Sequence, residues 1–158
     1  MLAHARALLV GIPEGTTSYL QADLRDPGMI LREAARTLDF AQPAAVILAA
    51  ILQLIGDEED PYGIVARLMS SVARGSYLVL THPASDIHGE LVAESARRCN
   101  KSVVTPVTLR TFNQVSRFFD GLEVVEPCIV QCHRWHPDPG ASVDDYEVAG
   151  WGAVGRKP

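Results

Sequence analysis

Residues 43–61 read PAAVILAAILQLIGDEEDP, and this stretch decides the fold. Its first half, Ala44–Leu52, is an unbroken apolar run that follows a proline. A continuous apolar run of this length is typical of a strand that is buried on both faces, as in a parallel sheet covered by helices. The acidic tail then predicts a new helix, with Asp60 as its N-cap and Pro61 in its first turn.

Helical and strand-like segments alternate on the N-terminal side of this stretch. Residues 2–9 have apolar residues at helical spacing, and Thr16–Ala22 is rich in residues that favour strands. Asp26 and Pro27 then predict the cap and first turn of a helix that ends near Leu38.

The alternation continues on the C-terminal side. We expect helices over Pro61–Ala73, Ile87–Cys99 and Thr111–Phe119, a strand over Ser76–Thr81, and late strands within Leu122–Val130 and Tyr146–Val154. Strands that alternate with helices predict a doubly wound α/β sheet. The two late strands, which follow each other without a helix, predict an antiparallel pair at the sheet edge.

The composition indicates one globular domain over residues 1–158. The chain is 47% apolar and carries a formal net charge of −5, which argues against a nucleic-acid or membrane-surface partner. No apolar run approaches the roughly 20 residues that a membrane span needs. Three cysteines, an odd number, indicate reduced thiols and a cytoplasmic protein.

A short cluster of cysteine and histidine residues invites a metal interpretation. Cys128, Cys132, His133 and His136 lie within nine residues, mostly in an extended segment. Neighbours along an extended segment alternate between faces, so these side chains would not easily converge on one tetrahedral ion. We therefore predict no metal site.

Several long segments together resemble the S-adenosyl methyltransferase family of the actinobacterial type. They are LAHARALL (2–9), GIPEGTTSYLQADLRDP (11–27), PAAVILAAILQLIGDEEDP (43–61), GIVARLMSSVARGSYLVLTH (63–82) and VTPVTLRTFNQVSRFFDGLEVVEP (104–127). The resemblance implies a Rossmann-like methyltransferase fold, S-adenosylmethionine as methyl donor and a small-molecule acceptor.

The same resemblance implies that this chain is an N-terminally truncated form. The family's glycine-rich cofactor loop follows its first strand, and no glycine-rich strand-to-helix turn occurs in these residues. We expect a sheet that lacks its first two strands and a protein that is weak or inactive alone. The alternative is a non-catalytic remnant that acts as an interaction module, with self-association through exposed sheet edges.

The resemblance also implies cofactor-binding residues. Asp23 would accept a hydrogen bond from the adenine amino group, and the backbone N–H of Leu24 would reach a ring nitrogen. Ala49, Ala50 and Gln53 would line the methionine part of the cofactor. The alternatives are that Asp23 only begins a turn and that the two alanines only pack in the core.

Two of these positions are also candidates for contact with the acceptor. Gln53 stands where the resemblance predicts a histidine, so any acid–base role is in doubt there, but its amide could hydrogen-bond a substrate. His82 follows the strand Ser76–Thr81, where it could serve as a general base or only make a structural hydrogen bond.

Overall fold

The computed structural model describes residues 15–141 and 146–158. The predicted helix over residues 2–9 lies outside this range. The helices are α1 (Pro27–Ala34), α2 (Pro61–Ser70), α3 (Gly89–Asn100) and α4 (Phe112–Ser116). The strands are β1 (Ala45–Ala49), β2 (Tyr77–Pro83), β3 (Glu123–Val124), β4 (Val130–Gln131) and β5 (Gly150–Arg156). None of the helices in the described ranges is long and apolar enough to cross a membrane.

Three of the predicted helix starts are confirmed, whereas the helix predicted to begin at Ile87 begins at Gly89. The side chains of Asp26, Asp60 and Thr111 each accept a hydrogen bond from the backbone N–H three residues later, at 2.9, 3.0 and 3.3 Å respectively. These bonds satisfy N–H groups that have no partner within the helix itself. α1 is shorter than predicted and ends at Ala34.

The sheet has the order β1-β2-β5-β3, and β4 also pairs with β5. β1 and β2 are parallel, whereas β5 is antiparallel to β2, β3 and β4. The predicted antiparallel pairing of the C-terminal strands is therefore confirmed. β5 lies between β2 and β3, so it is an interior strand of the sheet.

The predicted strand over Thr16–Ala22 is wrong, because the described residues of this segment form no strand. A β-strand exists only when a neighbouring strand completes its hydrogen bonds. In the part of the chain that the structure describes, no strand lies beside these residues, and β1 pairs with β2 alone.

One hydrophobic core joins the sheet to α2 and to the 3₁₀ turn Arg117–Phe119. Leu78 and Leu80 of β2 are fully buried within it. Its buried members are Leu48, Leu52, Ile55, Ile64, Val65, Leu68, Met69, Val72, Leu78, Leu80, Val115, Phe118, Phe119 and Ala153.

The prediction that the 44–52 run is buried on both faces is also wrong. Within β1, Leu48 is buried, but Ala45 and Ala49 are exposed and Ile47 is 64% exposed. β1 has a paired strand on one side only within the described residues. Its apolar sequence therefore has fewer neighbours than a central strand would have.

Candidate functional site

The candidate site begins where the parallel strands β1 and β2 end side by side. Ala49, the last residue of β1, lies opposite Thr81. The next residue, Ala50, has a φ of +50°, a left-handed conformation that a non-glycine residue rarely adopts. Its N–H donates to the Thr81 hydroxyl at 3.0 Å. Ligands of open α/β sheets bind just beyond such carboxyl ends.

Gln53 lies in the 3₁₀ turn that follows β1, and its side chain has one unused acceptor. Its Nε2 donates to the carbonyl of Ala50 at 2.7 Å, which fixes the orientation of the amide. Its Oε1 is buried and has no hydrogen-bond partner in the described structure. A buried acceptor without a donor is costly, and it is a natural contact for a bound ligand that carries an N–H or O–H group.

Asp23 and the loop after β1 are joined by Arg25. Asp23 Oδ1 accepts from the backbone N–H of Arg25 at 3.0 Å and from its Nη1 at 3.2 Å. Arg25 Nη2 donates to the Leu54 carbonyl at 3.0 Å, and Arg25 also pairs with the Glu59 carboxylate. Arg25 therefore brings two predicted parts of the site together.

The carboxylate of Asp23 is ready to accept a further hydrogen bond. The backbone N–H and the guanidinium of Arg25 hold the pKa of Asp23 below its ordinary value. The side chain is also 61% exposed. Asp23 is therefore a charged, accessible acceptor at neutral pH. The adjacent Leu24 packs against the edge of the core, which anchors this turn.

A cavity of about 230 Å³ lies beside the Arg25 link. It is open to solvent and has both charged and apolar walls. The residues that line it are Arg25, Leu54, Gly56, Glu58, Glu59, Val104, Thr105, Pro106 and Thr108. The loop after β1 therefore forms one wall of this surface cavity.

His82 faces the interior of the molecule and is 2% exposed. Its Nε2 lies 2.8 Å from Arg110 Nη1, and its Nδ1 lies 2.9 Å from the carbonyl of Pro83. Arginine can only donate, so Nε2 accepts and Nδ1 carries the proton. Burial, reinforced by the charge of Arg110, lowers the pKa of His82 to about 4. This geometry argues against the predicted contact of His82 with a substrate.

Arg110 is a central residue that sequence reasoning missed. It is fully buried, and each of its five N–H groups has an acceptor. Those acceptors are the carbonyls of Leu52 and Ile55, the carboxylate of Asp57 and the His82 ring. No sequence pattern marks this arginine, because its partners lie 28 to 58 residues away.

No group of three or more His, Cys, Asp or Glu side chains in residues 15–141 and 146–158 is arranged to hold a metal ion. The thiol of Cys132 is half-buried, and this burial raises its pKa above the ordinary value. Cys128 and Cys132 are both free thiols.

The alternation of strands and helices and the parallel pair β1 and β2 place the protein in the α/β class of folds. A family model described as S-adenosyl methyltransferase matches residues 1–158, and the chain belongs to that family. A search of curated proteins finds no match.

Solved structures agree with this assignment. A DUF574 family protein from Streptomyces avermitilis MA-4680 is 41% identical, with a TM-score of 0.91 over 99% of this chain. A candidate methyltransferase from Thermobifida fusca YX is 31% identical, with a TM-score of 0.87 over 99% of this chain. The chain spans 61% and 59% of the lengths of these two proteins.

A more distant structure shows the fold alone. A candidate methyltransferase from Haloferax volcanii, solved in complex with a methyltransferase activator, is 17% identical to this chain. It aligns with 100% of this chain at a TM-score of 0.58.

Proposed function

We propose that this chain binds S-adenosylmethionine at the loop after β1 and takes part in methyl transfer to a small-molecule acceptor. The observation that carries the proposal is the unpartnered Oε1 of Gln53, in the loop beyond the parallel strand ends. Membership of the S-adenosyl methyltransferase family makes this cofactor the first candidate for the ligand that donates a hydrogen bond to Gln53 Oε1.

The donor and acceptor chemistry of the described residues fits parts of this cofactor. Gln53 Oε1 could accept from its ammonium or hydroxyl groups, and the Asp23 carboxylate could accept from the adenine amino group. The backbone N–H of Leu24 would complete the adenine contact. Small side chains at Ala49 and Ala50 would let the ligand approach the backbone closely.

In this proposal, these residues bind the cofactor and align it with the acceptor. When bound, the cofactor supplies a methyl group on a sulfonium, which needs an aligned nucleophile and a dry site more than a dedicated acid or base. Because His82 is buried and neutral, it does not supply a general base at the surface. The acceptor would enter beside the loop after β1, where the cavity opens.

Calorimetric titration with S-adenosylhomocysteine tests this proposal. We expect binding by the chain, and a loss of affinity of about tenfold in Asp23→Ala and in Gln53→Ala, the effect of one hydrogen bond. Asp39→Ala is the matched control, because Asp39 Oδ1 also accepts from the backbone N–H two residues later, at 3.0 Å. Absence of heat with the unmodified chain would contradict cofactor binding by these residues alone.

A second candidate is an interaction module that associates through the edge of β1. The observation that favours it is the 64% exposed Ile47 on a strand with one neighbour in the described ranges. An uncharged strand edge with an exposed apolar side chain readily pairs with another chain.

Sedimentation velocity separates this candidate from a monomer. We expect Ile47→Lys to abolish any concentration-dependent association. The control is Leu91→Lys on α3, because Leu91 is also apolar and is 72% exposed. If the unmodified chain stays monomeric over the accessible concentration range, the interaction-module candidate is wrong.

A further inference from the structure

Arg110 joins the two strand ends that form the candidate site. Its backbone is tied to the end of β2 and to the residues that follow, because its N–H donates to the Pro83 carbonyl at 3.3 Å and its carbonyl accepts from the Ser85 N–H at 3.0 Å. Its side chain reaches the loop after β1. The residue therefore acts as a cross-link between segments that are far apart along the chain.

The side-chain contacts of Arg110 bracket Gln53. Nη1 donates to the carbonyl of Leu52 at 3.1 Å, and Nη2 donates to the carbonyl of Ile55 at 2.9 Å. Two residues before Arg110, the N–H of Thr108 donates to the carbonyl of Gln53 itself at 2.8 Å. The backbone on both sides of Gln53 is thus held by one short segment.

Charge and ring contacts hold the guanidinium in place. Nη2 donates to Asp57 Oδ1 at 2.7 Å, so the buried positive charge has a paired negative charge. His82 accepts from Nη1, and the Phe118 ring centroid lies 5.6 Å from the guanidinium carbon. Burying an arginine is costly, and only a complete set of partners offsets that cost.

We propose that Arg110 is a positioning residue that fixes the turn around Gln53 and so sets where Gln53 Oε1 points. This inference rests on the proposed function, since Gln53 is the residue whose ligand contact it would position. The guanidinium is required because its planar fork reaches two carbonyls, a carboxylate and an imidazole at once, whereas an ammonium group cannot.

Hydrogen exchange in the full chain tests, without any ligand, whether Arg110 holds the turn around Gln53. In Arg110→Lys, we expect the amides of Leu54, Ile55 and Gly56 to exchange at least about tenfold faster, while the amides of β2 and β5 change by less than about threefold. The control is Arg156→Lys, whose side chain pairs with Glu123 on the surface. Equal acceleration throughout the sheet would show that Arg110 only stabilises the fold, and would overturn the proposal.

Titration with S-adenosylhomocysteine tests the link to Gln53. If Arg110 acts through Gln53, Arg110→Lys and Gln53→Ala should each weaken binding by about tenfold, and the double variant should be no weaker than either one. Additive losses would overturn the positioning role. If the unmodified chain shows no binding, the proposed function fails for these residues, and the exchange experiment still decides whether Arg110 holds the turn.

A milder variant covers the case in which Arg110→Lys does not fold. Asp57→Asn keeps the guanidinium and both carbonyl contacts but removes the paired charge. We expect the same amides around Gln53 to exchange about threefold to tenfold faster. The ¹⁵N shifts of the His82 ring provide a second signature, because His82 Nε2 accepts a hydrogen bond from Arg110. If the amide exchange around Gln53 and the ¹⁵N shifts of the His82 ring are both unchanged in this variant, the positioning role of Arg110 is wrong.

Discussion

Strands β1 and β2 are both apolar and run parallel to each other, but their surroundings differ. Leu78 and Leu80 of β2 are fully buried, because β2 lies between β1 and β5. In β1, Leu48 is buried and Ile47 is 64% exposed. The comparison teaches that an apolar run sets how much surface a strand can bury, whereas its neighbours decide how much it does bury.

The contrast also separates stability from binding. β2 and its following residues hold the core and position Arg110, whereas the loop after β1 carries Gln53 and forms one wall of the surface cavity. A mutation in β2 should therefore affect folding first. A mutation along the outer part of β1 should affect contacts with other molecules first.

The largest effect that we expect is that of Leu80→Ala in β2. Removing a fully buried leucine leaves a cavity, so the free energy of unfolding should fall by about 3 kcal/mol. Urea denaturation measures the change. A loss below about 1 kcal/mol would show that β2 is no more enclosed than β1, and the comparison would then be wrong.

The next effect is a pH dependence that originates at the carboxyl end of β2. His82 has a pKa of about 4 in the folded protein and about 6.5 when unfolded. Between these values the unfolded chain binds more protons, so stability falls as the pH falls. From pH 7 to pH 4.5 the free energy of unfolding should decrease by about 2 kcal/mol.

The control for this pH dependence is His82→Gln, whose side-chain oxygen can still accept from Arg110 but does not titrate. Urea denaturation of both proteins from pH 7 to pH 4.5 isolates the histidine contribution as the difference between two curves. A flat difference would mean that the His82 ring is solvated and that the end of β2 is open.

The smallest effect should come from Ile47→Thr in β1. Because Ile47 is 64% exposed and threonine also favours strands, the free energy of unfolding should change by less than about 0.5 kcal/mol. Urea denaturation at low protein concentration measures it, with Leu48→Ala as the buried neighbour for contrast. A loss of more than about 1.5 kcal/mol would mean that this face of β1 is covered.

Local signals made much of the fold predictable. Asp26, Asp60 and Thr111 cap their helices because an N-cap requires only residues within one turn. The strand order along the chain and the antiparallel pairing of the last strands also followed from periodicity. The strand at Thr16–Ala22 failed because β-propensity alone does not supply a pairing partner.

The candidate site was predictable only in part. Gln53 was predicted from the family resemblance, which places it beside the methionine part of the cofactor, and this role stays a prediction. Arg25 and Arg110 were not found, since an arginine in a loop is usually a solvated surface residue. Their roles depend on carbonyls and carboxylates that are up to 58 residues away in the sequence.

The sequence by itself determined the class of fold, the family and the caps of three helices, because apolar periodicity, capping residues and long similar segments are local properties. Only the tertiary structure decided which apolar strand is buried and that His82 is a neutral acceptor held by Arg110. The reason is physical. The burial and the pKa of a side chain depend on which groups surround it in space. The order of residues along the chain does not state which distant groups those are.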